Sequence, residues 1–185
     1  MSKVIHAPEL ITTQWFNSDQ PQSFAMHRGK VVVAVAFQML CPGCVSHSLP
    51  QAQQVYEMFP SDKVVVLGLH TVFEHHEAMT PATLKAFLHE YRFRFAVGVD
   101  APSQSHDTPQ TMTAYGMRGT PTFLLLAPDG SLVEHHFGRV PDMRLGAEIT
   151  ALIGHKVPPR NDDANVDADD DTDTGCIGGA CTPAK

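Results

Sequence analysis

The stretch VVVAVAFQMLCPGCVSHSLP, residues 31–50, is the most informative part of the sequence. It opens with an apolar run of Val, Ala and Phe that does not alternate with polar residues, which predicts a buried strand of a parallel sheet. Residues 45–59 predict a helix, in which Pro50 should produce a kink because the apolar pattern resumes beyond it. Two cysteines, Cys41 and Cys44, therefore lie where a buried strand becomes a helix. Half of a zinc site, a structural disulfide and a redox pair are the three interpretations of this pair.

The position of the cysteines favours the redox pair. Cys41 meets the unpaired N–H groups and the positive dipole end of the helix, and both favour the nucleophilic thiolate. Pro42 suits the first helical position, and Gly43 lets another chain approach closely. Cys44 follows one turn later, near enough to attack a mixed disulfide formed at Cys41. We therefore predict Cys41 as the nucleophile and Cys44 as the resolving thiol.

The two other interpretations have specific weaknesses. A structural disulfide would close a very small loop and constrain little of the unfolded chain. Zinc needs two further ligands, which Cys176 and Cys181 near the C-terminus could supply. A protein that binds or delivers metal through CPGC, the tail cysteines or the histidine-rich segment LHTVFEHHE is the alternative from a different class. For His70, His75 and His76 in that segment we favour an exposed polar loop, and we predict no metal and no cofactor.

The remaining pattern predicts an α/β fold. Apolar runs at residues 62–69, 95–100 and 122–127 predict further strands, and residues 131–138 alternate as the antiparallel hairpin partner of the last one. Helices are expected over residues 79–93, with Thr80 as N-cap and Pro81 at the first position, and over residues 109–115 and 141–153. Residues 9–18 predict a strand or hairpin at the sheet edge. The expected architecture is a central mixed sheet flanked by helices, with an N-terminal hairpin extension and an inserted helix and strand.

Composition separates a domain at residues 1–154 from a tail at residues 155–185. The chain has 185 residues, 43% of them hydrophobic, and a net charge of -7 that excludes nucleic acid as an electrostatically favoured partner. Seven Asp residues fall in the tail, which we expect to be flexible and acidic. Its Cys176 and Cys181 form a candidate second redox pair. No secretory signal or membrane-spanning run is evident, so we expect a cytoplasmic protein without a membrane partner.

Over residues 7–153 the chain resembles the thioredoxin fold, and within it the TlpA-like and redoxin thiol-disulfide oxidoreductases. The features that carry the resemblance are the strand, CPGC, the kinked helix and Gly119-Thr120-Pro121. The resemblance implies a cis bond at Thr120–Pro121 and a substrate-docking loop there. It also implies protein substrates that carry thiols or disulfides, with Pro42 and Gly43 among the residues that contact them. An upstream disulfide reductase is a further implied partner. The resemblance leaves the oligomeric state open.

The chain departs from the family at three positions. Leu40 stands where many thioredoxins carry Trp, and Val35 replaces the acid that thioredoxins bury six residues before the first cysteine. The glutamate of TlpA-like proteins aligns with about Thr71, and Glu74 is the nearest acid. The proton acceptor for Cys44 is therefore unassigned, with Glu74 as a candidate modulator.

Two further possibilities concern the same site. His47 lies one helical turn after Cys44, and as an imidazolium it would favour the Cys41 thiolate. A peroxiredoxin-like thiol peroxidase is the other enzymatic interpretation. Peroxiredoxins need Pro and Thr at seven and three residues before the reactive cysteine, where this chain has Ala34 and Gln38 before Cys41.

Overall fold

A computed structural model describes residues 7–154 of the chain, so the predicted tail with Cys176 and Cys181 lies outside the described residues. The strands are β1 (Thr12–Phe16), β2 (Val31–Phe37), β3 (Val64–His70), β4 (Ala96–Asp100), β5 (Thr122–Leu126) and β6 (Leu132–Phe137). The helices are α1 (Leu49–Met58), α2 (Pro81–Glu90), α3 (Gln110–Ala114) and α4 (Asp142–Ile153).

All six strands form one mixed sheet in the order β1-β4-β3-β2-β5-β6. Strands β2, β3 and β4 are parallel, whereas β1, β5 and β6 each pair antiparallel with a neighbour. Strand β2 lies at the centre with every residue buried, which explains its lack of polar alternation. The predicted mixed sheet is confirmed.

Helices cover both faces of the sheet, and the alternation of β2 shows how. Val33 and Val35 point into one apolar cluster with residues of α1, α2 and α4. Val32 and Ala34 point into a second cluster with residues of α3 and the segment before β1. The core is therefore two apolar layers separated by the sheet, as an α/β domain requires.

Of the strand or hairpin predicted at residues 9–18, the edge strand is confirmed and the hairpin does not form within the described residues. Thr12–Phe16 is a single edge strand, paired antiparallel with β4. Asn17 follows it with φ +56°, and its Nδ2 donates to the carbonyls of Phe93 at 2.8 Å and Phe95 at 3.1 Å. These contacts turn the chain away from the sheet edge, so the next residues do not return as a second strand. The inserted helix and strand, α2 and β4, are confirmed.

The kink predicted at Pro50 takes the form of one wide turn. Helical backbone begins at Pro42, but Cys44–Ser48 form a π-helical turn in which the Leu49 N–H donates to the Cys44 carbonyl. Pro50 has no N–H, so the ordinary bond to the carbonyl of residue 46 cannot form, and the widened turn accommodates the ring. Beyond it α1 continues regularly.

Among residues 7–154, no helix has both the length and the apolar character needed to cross a bilayer.

Candidate active site

Cys41 lies four residues beyond the end of β2, at the carboxyl edge of the parallel strands. Its N–H donates to the Gln38 carbonyl at 3.2 Å. Its own carbonyl accepts from the N–H groups of Cys44 at 3.0 Å and Val45 at 3.1 Å, which starts the helix. The side chain is half-buried. Cys41 thus occupies the strand-to-helix junction that the sequence predicts.

The loop before β5 closes over the cysteine pair. The Cys41 thiol donates to the Thr120 carbonyl at 3.5 Å, and the Thr120–Pro121 bond is cis, as the resemblance implied. A Cβ placed on Gly43 would lie 3.6 Å from Cδ of Pro121, in ordinary van der Waals contact. The structure therefore brings together Cys41, Gly43, Thr120 and Pro121, although they lie about 80 residues apart in sequence.

Cys44 differs sharply from Cys41. It is 0% exposed and belongs to the apolar cluster beneath α1, while both cysteines are free thiols. Burial, followed by the neighbouring Cys41 side chain, raises the pKa of Cys44 to about 12. The backbone of Gln38 opposes this rise of the pKa only in part. The pair thus consists of an accessible thiol and an enclosed thiol that holds its proton.

Gln38 is a structural residue of the site that the sequence reasoning missed. Its side chain is buried; Nε2 donates to Glu74 Oε1 at 3.3 Å, and Oε1 accepts from the Phe73 N–H at 3.2 Å. Since its backbone carbonyl also accepts from Cys41, Gln38 joins the loop after β3 to the redox turn. The sequence feature that could have identified Gln38 is its position as a single polar residue directly after the apolar run of β2.

Neither candidate modulator contacts the thiols by a hydrogen bond in the described part of the chain. Glu74 is exposed and reaches the site only through Gln38. His47 is also exposed, and its Nδ1 lies 2.5 Å from Ser46 Oγ. The geometry therefore places both near the redox turn without assigning either one to proton transfer.

The three histidines for which an exposed polar loop was predicted do not all lie in one. His75 and His76 lie in an exposed loop, whereas His70 is buried in β3 with its ring 5.3 Å from that of Phe37. Both ring nitrogens of His70 lack a hydrogen-bond partner among residues 7–154, and burial lowers its pKa to about 4. The three side chains accordingly do not share one ligand site.

Within residues 7–154, the side chains close enough to hold a metal together are Glu134, His136 and Glu148. They join β6 to α4 through a His136–Glu148 contact of 2.8 Å, and Arg144 Nε donates to Glu148 Oε1 at 2.7 Å. Although burial alone would raise the pKa of Glu148, hydrogen bonds from Arg144 and His136 lower it. Together with Arg144, these three side chains form an ion-pair network that explains their proximity.

Thr71, which aligns with the glutamate of TlpA-like proteins, is fully buried and donates to Asp100 Oδ2 at 2.9 Å. Asp100 also accepts from the N–H groups of Thr111 at 2.8 Å and Met112 at 3.1 Å, so it caps α3. Burial raises the pKa of Asp100. This carboxyl supports the second apolar layer, on the opposite face of the sheet from Cys44.

An apolar and basic rim adjoins the cysteine site and was also missed from the sequence. Leu40, directly before Cys41, is 56% exposed, and Phe137 at the end of β6 is 49% exposed. A Cβ on Gly119 would lie 3.2 Å from Cε2 of Phe137, which places that ring against the loop that contacts Cys41. The Arg118 guanidinium lies 4.9 Å from the centroid of the same ring. We refer to Leu40, Phe137 and Arg118 as the rim.

The chain matches no protein-family model and no curated protein. It is similar to the crystal structure of a thioredoxin-like superfamily protein, with 61% identity and a TM-score of 0.80 over 83% of this chain and 99% of the other. It is also similar to a thiol-disulfide isomerase from Corynebacterium glutamicum, with 43% identity and a TM-score of 0.78 over 81% of this chain and 98% of the other. A thiol:disulfide interchange protein of the thioredoxin family from Chlorobium tepidum TLS, 18% identical, shares the fold with a TM-score of 0.62 over 83% of this chain and 99% of its own. The chain therefore belongs to the thioredoxin-like superfamily, among its thiol-disulfide oxidoreductases.

Proposed function

We propose that this oxidoreductase exchanges dithiols and disulfides with protein substrates through its CPGC pair, with Cys41 as nucleophile and Cys44 as resolving thiol. The observation that carries the proposal is the difference between the two thiols. Cys41 is accessible at the start of a helix beside the Thr120 carbonyl, whereas Cys44 is enclosed and its pKa is raised to about 12. An incoming disulfide therefore meets Cys41 first.

The exchange then proceeds in two steps. The Cys41 thiolate attacks one sulfur of the substrate disulfide, and the other substrate sulfur leaves as a thiolate. Cys44 loses its proton and attacks Cys41 Sγ, which releases the second substrate thiolate and forms the Cys41–Cys44 disulfide. Once Cys41 is in the mixed disulfide it carries no negative charge, so one contribution that raises the pKa of Cys44 is removed and its ionisation becomes easier.

The loop around Thr120 and Pro121 provides the docking surface in this proposal. It lies against Cys41 and Gly43, so a polypeptide that reaches the Cys41 sulfur must pass beside it. Pro42 and Gly43 form the opposite wall, and the missing side chain of Gly43 leaves the approach open. An upstream disulfide reductase would return the oxidised pair to the dithiol by the same route.

The test is to trap partners with single-cysteine variants. In a background with Cys176→Ser and Cys181→Ser, Cys44→Ser should accumulate mixed disulfides with reducible proteins through Cys41, because the resolving thiol is missing. The matched Cys41→Ser variant should accumulate none, since Cys44 is buried. Mass spectrometry of the adducts identifies both the partners and the linked cysteine. Equal adducts from both variants would overturn the assignment of roles.

The alternatives predicted from sequence have their own measurements. Rapid consumption of hydrogen peroxide by the parent, without trapping of proteins, would favour a thiol peroxidase. Stoichiometric metal in the purified chain with fewer than two titratable thiols would favour metal delivery. The cytoplasmic location stays a prediction, which fractionation of the native cells tests.

A further inference from the structure

The rim around the Cys41 site, to which we now add the neighbouring Arg139, has two basic groups that no described carboxylate neutralises. Arg118 contacts Phe137 through its guanidinium, and Arg139 is exposed two residues beyond that ring. Neither arginine forms an ion pair with an acid among residues 7–154. Asp142, the acid closest to Arg139 in sequence, already accepts from Gln51 Nε2 at 2.6 Å. Such a surface fits a segment that combines negative charge with apolar residues.

The chain itself contains a segment of this chemistry. Residues 162–173 include seven Asp, and GCIGGAC at residues 175–181 follows directly with Cys176, Ile177 and Cys181. The acidic run could meet the two arginines, while Ile177 could contact the exposed apolar side chains of the rim. No carboxylate-rich stretch of similar density occurs elsewhere in the sequence.

The position of α4 makes the rim accessible to this segment. α4 begins at the site, where Gln51 of α1 donates to the Val140 carbonyl at 2.9 Å, and its 12 residues extend about 18 Å. Residues 154–175 separate the end of α4 from Cys176, and such a stretch of 22 residues spans at most ~73 Å. Residues 154–175 are therefore long enough to lead back along the length of α4 to the rim. Tethering gives the tail thiols a high effective concentration at Cys41.

We propose that residues 162–181 dock on the rim of their own chain, with the Asp run on Arg118 and Arg139, and that Cys176 and Cys181 exchange electrons with CPGC. This role rests on the function proposed above for Cys41. It gives the redox pair a partner within the same polypeptide.

The exchange starts from the oxidised form of CPGC, in which Cys41 and Cys44 are joined by a disulfide. A thiolate of the tail pair attacks Cys41 Sγ, and Cys44 leaves and takes up a proton, which its buried position favours. The second tail thiol releases its proton to water and attacks the tail sulfur of the mixed disulfide, so Cys41 leaves as a thiolate. Two electrons have then moved to CPGC, and the tail holds a Cys176–Cys181 disulfide. A dithiol protein or glutathione from outside would reduce that disulfide.

The experiment uses the full chain with Cys44→Ser and one tail cysteine, either Cys176 or Cys181, also changed to Ser, so that a bond from Cys41 to the tail cannot be resolved; the protein is treated with oxidised glutathione. Glutathione should add to Cys41, and the remaining tail thiol should then displace it, giving a Cys41 bond to Cys176 or Cys181 within a monomer. Disulfide mapping by mass spectrometry over time follows both steps, and the second rate should not depend on protein concentration. Removing the two guanidinium groups with Arg118→Ala and Arg139→Ala should slow the second step by about 10-fold at low salt.

The matched control is the double variant Arg92→Ala and Arg94→Ala. It removes the same charge from exposed positions that precede β4, at the opposite end of the parallel strands, and should leave the rate unchanged. Equal slowing in both double variants would overturn the docking surface. A glutathione adduct that persists at Cys41, or a tail disulfide formed only between two chains, would overturn the intramolecular partner while the proposed function stands. Absence of any adduct at Cys41 would overturn both.

Discussion

The buried His70 should make the stability of the domain depend on pH, and His70→Leu should remove that dependence. The side chain is 1% exposed, and neither ring nitrogen has a hydrogen-bond partner in the part of the chain that the structure describes. Burial lowers its pKa from 6.5 to about 4. In the unfolded chain the imidazole binds a proton near pH 6.5, whereas the folded protein resists protonation until about pH 4. The unfolded state therefore binds more protons between these values, so stability is fully present above pH 6.5 and is lost as the pH falls towards 4.

The size of the effect follows from the two pKa values. They differ by about 2.5 pH units, at about 1.36 kcal/mol each, so the full penalty is roughly 3.4 kcal/mol below pH 4. By pH 5 about 2 kcal/mol of it is already present, and at pH 7.5 almost none. Leu has a similar volume and no titratable group. The advantage of His70→Leu over the parent in free energy of unfolding should therefore grow by about 2 kcal/mol between pH 7.5 and pH 5.

Urea unfolding of both proteins at several pH values between these limits measures the difference. All other titrating groups are shared, so they cancel in the comparison. His76→Leu, at an exposed loop position, is the control and should track the parent. At pH 7.5 the His70 variant should already be about 1–2 kcal/mol more stable, because two buried unpaired nitrogens are removed. A difference that stays constant within about 0.5 kcal/mol across the range would contradict the burial of an unpaired imidazole, since His70 would then be solvated or partnered.

Two further predictions concern the support of the sheet. Asp100→Ala removes the acceptor of three hydrogen bonds and leaves two N–H groups of α3 without their cap, so the free energy of unfolding should fall by about 3 kcal/mol in denaturant titration. Asp100→Asn keeps an acceptor and should lose less than half of that; equal losses would contradict the capping role. Gly68→Ala would place a Cβ 2.9 Å from Val97 Cγ2 and 3.0 Å from Phe95, and this overpacking should cost about 1–3 kcal/mol. Gly146→Ala in α4 meets nothing within 4 Å and should instead stabilise by about 0.5–1 kcal/mol, so matching effects of the two changes would contradict the contact.

Local chemistry made much of the fold predictable. The unbroken apolar run of β2 reports burial on both faces, and the Thr80-Pro81 start of α2 satisfies the first turn through a Thr83 N–H contact of 3.3 Å to the Thr80 hydroxyl. The contact between Cys41 and the Thr120 loop, in contrast, was predictable only through the family resemblance. Spacing alone does not reveal which distant loop will close over a strand end.

Other features depend on long-range contacts that leave no local pattern. The expected N-terminal hairpin failed because Asn17 turns the chain through bonds to carbonyls about 76 residues away. Likewise, the sequence gives no sign of the roles of Gln38 and Phe137. In the folded chain Gln38 connects the redox turn to the loop after β3, and Phe137 lies against Gly119. His75 and His76 lie in the expected exposed loop, but that expectation is wrong for His70, because strand alternation directs it into the core.

The missing proton acceptor of Cys44 has a structural basis. Val35, where thioredoxins bury an acid, is fully buried in the same apolar cluster as Cys44, so this position supplies no carboxylate. Asp100 is buried too, but strand alternation in β4 directs it to the opposite face of the sheet, where it caps α3. Desolvation then acts on Cys44 without a carboxylate to relieve it, which accounts for its strongly raised pKa. Besides burial, the neighbouring Cys41 side chain raises the pKa of Cys44, so the proton of Cys44 has to leave on the accessible side of Cys41 once that sulfur is held in the mixed disulfide.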